Sequence, residues 1–109
     1  MAKNRKKAEL VLSRRQALNS GLLIERKVWR VPKSSRYPDA VKYRLVLVAP
    51  KAHVVILLYD NHWPKGPHIH WNDSERAYEY RGLEIMLQEF LQECEVEERR
   101  YHEDTKNID

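Results

Sequence analysis

The stretch Tyr59-Asp60-Asn61-His62-Trp63-Pro64-Lys65-Gly66-Pro67-His68-Ile69-His70 concentrates side chains that move protons and hold anions. Three of the chain's five histidines fall in it, with one lysine, one carboxylate and one amide. His68 and His70 are two apart, so on a strand both imidazoles point to one face with Cα atoms about 6–7 Å apart. That spacing lets two imidazoles flank one phosphate or share one metal ion. A metal-free ribonuclease needs a base for the 2′-hydroxyl, an acid for the leaving oxygen, and cations for the phosphorane charge. His68 and His70 fit the acid/base pair, Lys65 and Arg44 the cations, and Asp60 or Asn61 a residue that orients an imidazole. Imidazoles titrate near neutral pH, so such a pair can serve as acid and base together. Gly66 lets the backbone come close to a ligand.

The same residues have plainer uses. Asp60-Asn61 is an ordinary exit from a strand, because both side chains bond nearby backbone. Trp63 and Trp71 either cover the sheet edge or stack on bases. Arg14, Arg15, Lys42 and Arg44 either solvate strand faces or contact phosphates. A magnesium site is poorly provided for, since Asp60 is the single carboxylate between Lys51 and Asn72. Zinc would accept His68, His70 and Asp60, yet Lys65 beside them repels a cation. No metal and no cofactor is expected.

These residues need a rigid frame, and the flanking sequence supplies one. Residues 8–12 and 22–31 read as strands around Asn19-Ser20-Gly21, a tight-turn sequence. Pro32 to Asp39 is a loop with two prolines and two serines. Val41, Tyr43, Leu45, Leu47 and Ala49 share one face of a third strand, opposite Lys42 and Arg44. Val54–Tyr59 is apolar on both faces, which places it centrally in the sheet. Asp60–Pro67 cannot continue a ladder, and His68–Trp71 forms a short strand after it. Beyond Tyr80 the period changes: Leu83, Met86, Leu87, Phe90, Leu91 and Cys94 make the stripe of an amphipathic helix from about Gly82 to about Arg99. Cys94 on that stripe is a small core residue.

The expected fold is α+β, a largely antiparallel sheet of about five strands with one C-terminal helix packed on one face. Residues 1–7 read as a basic tail, 8–99 as a single domain and 100–109 as a polar tail. At 109 residues the chain has room for one domain, and its one cysteine excludes an internal disulfide framework. The mean hydropathy of −0.75, with no long apolar run and no signal-type leader, points to a cytoplasmic protein with no membrane contact. Residues 1–70 hold 15 basic against 4 acidic residues, a net +11, and residues 71–109 hold 5 against 12, a net −7. A basic body suits an anionic partner, and RNA is the partner that the His/Lys chemistry also fits.

The sequence resembles the TumE-type proteins, small bacterial and archaeal chains classed as toxin components of toxin–antitoxin pairs. The resemblance spans roughly residues 8–92 and rests on Ala8-Glu-Leu10, Val28-Trp-Arg-Val-Pro32 and Lys42-Tyr-Arg-Leu45. Its signature is Tyr59-Asp60-Asn61-His62 with Lys65-Gly66, His68 and His70, followed by Tyr78-X-Tyr80 and a helix with Leu87 and Phe90. Pro67 and Ile69 stand where the family usually has Asp and Arg. The resemblance implies a growth-inhibiting protein neutralised by a cognate antitoxin, often a helix-turn-helix protein encoded beside it. Two function classes remain in view: a ribonuclease-like toxin, or a non-catalytic module that binds nucleic acid or a partner through a basic sheet. A metal-dependent hydrolase is a third, and a homodimer is open under each.

Overall fold

The alternation of the third strand and the unbroken apolar run of the fourth set the architecture. The computed structural model, which describes residues 8–106, has six strands: β1 Glu9–Ala17, β2 Leu23–Arg30, β3 Val41–Ala49, β4 Val54–Asp60, β5 His68–Trp71 and β6 Ser74–Ala77. They form one antiparallel sheet in sequence order, so every strand pairs with its chain neighbour. One helix, α1 (Leu83–Lys106), closes the chain. The fold is therefore the α+β arrangement expected, with one strand more. The basic tail expected over residues 1–7 lies outside the described residues.

The additional strand is β6. Asn72-Asp73 makes a two-residue turn with Asn72 in the left-handed region (φ +53°), and Trp71 pairs with Ser74 across it. All four β6 residues are exposed. A short, charged, polar strand at a sheet edge resists pairing with other chains, and for that reason carries no apolar alternation to reveal it. β1 runs on to Ala17, beyond the expected Leu12, because Ser13–Gln16 continue the ladder with β2 while facing solvent.

The register assigns every side chain to a face, since directly paired residues share one. Tyr43, Leu45, Leu47, Leu57, Tyr59 and Ile69 form the face under α1, all nearly inaccessible. Met86, Phe90 and Cys94 of the helix stripe pack on it, each buried. The Tyr59 and Phe90 rings meet edge to face at 5.3 Å. Each such buried side chain contributes about 1.5–3 kcal/mol. The carbonyl of Gly82 accepts the first helical hydrogen bond from Met86 N–H at 3.1 Å, as an N-cap residue does. The helix continues to Lys106, past the expected Arg99, because Tyr101 extends the apolar stripe and Arg100 lies over the Trp71 ring at 5.5 Å.

Two ion pairs and two tyrosine hydrogen bonds tie α1 to the sheet and to the segment after β6. Glu93 accepts from the Tyr59 hydroxyl and from Arg76, and Glu89 accepts from the Tyr78 hydroxyl at 2.5 Å and from Arg81 at 2.7 Å. Burial and these carboxylates push the Tyr59 and Tyr78 hydroxyls well above the usual tyrosine range. Burial also pushes the Cys94 thiol up to about 12.

Candidate functional site

The face of the sheet that α1 leaves open carries the histidines. Two rows cross it. One runs Lys27, Arg44, Asp60, His68; the other runs Glu25, Val46, Leu58, His70, Glu75. Neighbouring strands lie about 4.8 Å apart, so Arg44 and His68 flank Asp60 from either side.

His68 and His70 come together as their spacing demands, with ring centroids 4.8 Å apart and planes at 85°. His68 is buried, and its Nδ1 lies 2.7 Å from the Gly66 carbonyl. A carbonyl only accepts, so Nδ1 carries a proton, and in the neutral ring the lone pair is on Nε2. Gly66 adopts φ +77°, a conformation that favours glycine, and this turns its carbonyl toward the ring. His70 is half-buried, with Nε2 at 2.9 Å from the Glu75 carboxylate. Lys65 Nζ donates to the same Glu75 oxygen at 2.5 Å. The Lys65 ammonium, with His70 behind it, holds the Glu75 carboxyl below its ordinary range.

Asn61 is spent on the backbone. Its Oδ1 accepts from Tyr43 N–H at 2.9 Å and its Nδ2 donates to the Val41 carbonyl at 2.8 Å, both buried. The amide thus stands in for the next rung of the β3–β4 ladder and fixes where the loop departs. Asp60 Oδ1 accepts from His62 N–H at 2.7 Å, which starts the loop turn. Trp63 projects from the loop, 43% exposed, with the Arg36 guanidinium 4.2 Å above its ring. The Trp63 backbone N–H donates to the Tyr37 hydroxyl at 3.3 Å, so the loop before β3 braces the loop before β5.

Of the basic residues, Arg15, Lys42 and Arg44 share the open face with the histidines. Arg14 faces the other way, paired with Arg26, and Trp71 also lies on the helix side as cover for the core. Sequence reasoning missed three members: Glu75, Lys27 and Arg36. Lys27 becomes visible only once register places it beside Arg44. A cleft of about 520 Å³ between β6 and α1 lies on the helix side, and its Arg76, Arg81, Glu89 and Glu93 already pair with one another. The open face, with two imidazoles and the cations Lys27, Lys42 and Arg44 beside them, has the chemistry to receive an anion.

The profile of the family described as Toxin TumE matches residues 2–100. The chain belongs to the TumE family. The match covers every residue of the histidine site and the sheet beneath it. The family consists of toxins of toxin–antitoxin systems, so an antitoxin partner goes with the chain. No curated protein and no solved structure matches it. Among the described residues, no helix is long and apolar enough to cross a membrane. The TumE-family signature residues thus divide by task. His68, His70 and Lys65 are presented on the open face, while Tyr59 and Asn61 hold the frame behind them.

Proposed function

We propose that this TumE-family toxin is a metal-independent endoribonuclease of the cytoplasm that cleaves RNA through His68 and His70. The observation that carries the reading is the unequal wiring of two adjacent imidazoles. His68 has Nδ1–H tied to a backbone carbonyl, which leaves Nε2 to take the 2′-hydroxyl proton. His70, turned to the Glu75 carboxylate, is the proton donor to the 5′ leaving oxygen. Lys65 and Arg44 stabilise the phosphorane charge, Lys65 exchanging Glu75 for the phosphate as it binds. Asp60 and Asn61 act as positioning residues through the loop. The bond between phosphorus and the 5′ oxygen breaks as the 2′ oxygen bonds to phosphorus, giving a 2′,3′-cyclic phosphate and a 5′-hydroxyl.

The test is cleavage of RNA by purified protein in EDTA, with product ends identified. Cyclic phosphate ends, absent with His70→Ala, support the reading; cleavage that needs an added divalent ion overturns it. Expression without antitoxin slows growth if the chain is toxic, and His70→Ala relieves the effect.

A second reading, a non-catalytic RNA-binding module, draws on the basic residues Arg15, Lys27, Lys42 and Arg44 spread over three strands of the open face, with Trp63 exposed on the loop after β4. Binding would survive His70→Ala. Under either reading the antitoxin, a helix-turn-helix protein, covers the histidine loop with an acidic or amphipathic segment, because it must block the site or its groove. A complex that leaves His68 open to solvent, with no acidic segment near it, would contradict this. Light scattering decides between monomer and homodimer.

A further inference from the structure

We propose that His68, His70 and Glu75 form a binding site for a zinc-class transition-metal ion, guarded in the free protein by the Lys65 ammonium, and that the bound metal inhibits. The site itself is independent of the ribonuclease reading; only the inhibition rests on it.

One nitrogen from each imidazole and one carboxylate oxygen lie within 4.8 Å of one another. They are held by a single hairpin, with His68 and His70 alternate on β5 and Glu75 directly opposite His70 on β6. Backbone pairing therefore sets their spacing, and no long loop has to be ordered to assemble them. His70 Nε2 and the Glu75 oxygen are 2.9 Å apart. Two ligands of a tetrahedral zinc ion with bonds of about 2.0 Å stand about 3.3 Å apart, so this pair needs to part by only a few tenths of an ångström.

The surroundings are those of a ligand histidine. Metal-bound imidazoles commonly donate their other N–H to a carbonyl or carboxylate, which fixes the tautomer. His68 does so already, through Nδ1 to Gly66. The donor set decides the class of ion. Two imidazoles and one carboxylate suit zinc, cobalt, nickel or copper, whereas magnesium and calcium require mainly oxygen. Asp60 does not supply the carboxylate, because its Oδ1 is engaged by His62 N–H and it stands opposite His68 on β4 rather than beside His70 on β6.

Lys65 makes the site conditional. Its ammonium bonds the very oxygen of Glu75 that pairs with His70, so it occupies the cation's place as a tethered competitor. The side chain is half exposed and sits in a loop, where it can swing out when a divalent ion arrives. Bound metal then takes the lone pairs that acid–base cleavage needs, and both imidazoles fall out of use.

The test is competition of the purified full chain with a chromophoric chelator for Zn²⁺, together with native mass spectrometry. One zinc per chain is expected. His70→Ala and Glu75→Gln should each weaken binding at least ~10-fold, and Lys65→Ala should tighten it about 10-fold by removing the competitor. Glu75 and Lys65 are exposed, so their variants fold as the parent does, and circular dichroism checks this. Wild-type affinity no better than that of His70→Ala overturns the site, as does Lys65→Ala without tighter binding. Magnesium in place of zinc should neither bind nor compete. Zinc at its binding concentration should also stop RNA cleavage. Metal binding without inhibition keeps the site and removes the regulatory role, while a protein that cleaves no RNA still yields the binding result.

Discussion

Asn61→Ala separates a framework amide from a reacting one. The side chain is buried and makes two hydrogen bonds, from Tyr43 N–H at 2.9 Å and to the Val41 carbonyl at 2.8 Å. Truncation leaves both backbone groups buried and unpaired, each at about 1–3 kcal/mol, so the fold should lose about 3 kcal/mol. At a urea m-value of about 1.5 kcal/mol/M, that loss lowers the unfolding midpoint by about 2 M with the slope unchanged. Asn61→Asp refines the test. It keeps the acceptor for Tyr43 N–H but sets a second acceptor oxygen against the Val41 carbonyl. Its carboxyl is favoured in the protonated form on folding, so this variant should gain stability as pH falls through the folded-state pKa. Urea unfolding followed by tryptophan fluorescence reads both variants. A wild-type midpoint in Asn61→Ala, combined with lost RNA cleavage, would refute the framework role and put the amide at the phosphate.

Arg44→Ala should weaken RNA binding and reduce the salt slope of log K by about 1, whereas Arg14→Ala, on the opposite face, should change neither; filter binding across a salt series reads both. Cys94, buried with its thiol pushed up to about 12, should resist a disulfide reagent in the native protein and react at once when the chain is unfolded. Glu75, held low by Lys65, should protonate at lower pH than an ordinary glutamate, so its bridge persists further as pH falls; carbon NMR of the carboxyl shows this, and Lys65→Ala should move the titration up.

The strands that build the core were legible because burial writes itself as pattern. Val41–Ala49 alternates, Val54–Tyr59 is apolar throughout, and Leu83–Cys94 repeats at helical spacing. The histidine pair was legible for the same reason, since a period of two places His68 and His70 on one face whatever the strand packs against. Glu75 was not, because Ser-Glu-Arg-Ala on an edge strand buries nothing and so leaves no alternation. Nor did charge distinguish Arg14 from Arg15. Adjacent arginines on an exposed strand differ only in face, and face depends on pairing with β2. Trp71 looked like a candidate for base stacking and serves as cover, its ring under Arg100 on a helix longer than its apolar stripe announced.

The alternation of β5 has an evolutionary consequence. His68 and His70 point to the open face, while Ile69, 3% exposed, points into the core between Tyr59 and Arg76. A substitution at 69 is therefore a change of packing, distinct from any change to the two rings on the other face. Insertions and deletions behave differently. An insertion or deletion that slips the register of this strand by one residue would turn both imidazoles into the core and Ile69 with Trp71 out to water. Such a slip would disrupt fold and site in one event, whereas under the proposed ribonuclease reading a substitution at 68 or 70 removes the chemistry and leaves the fold in place.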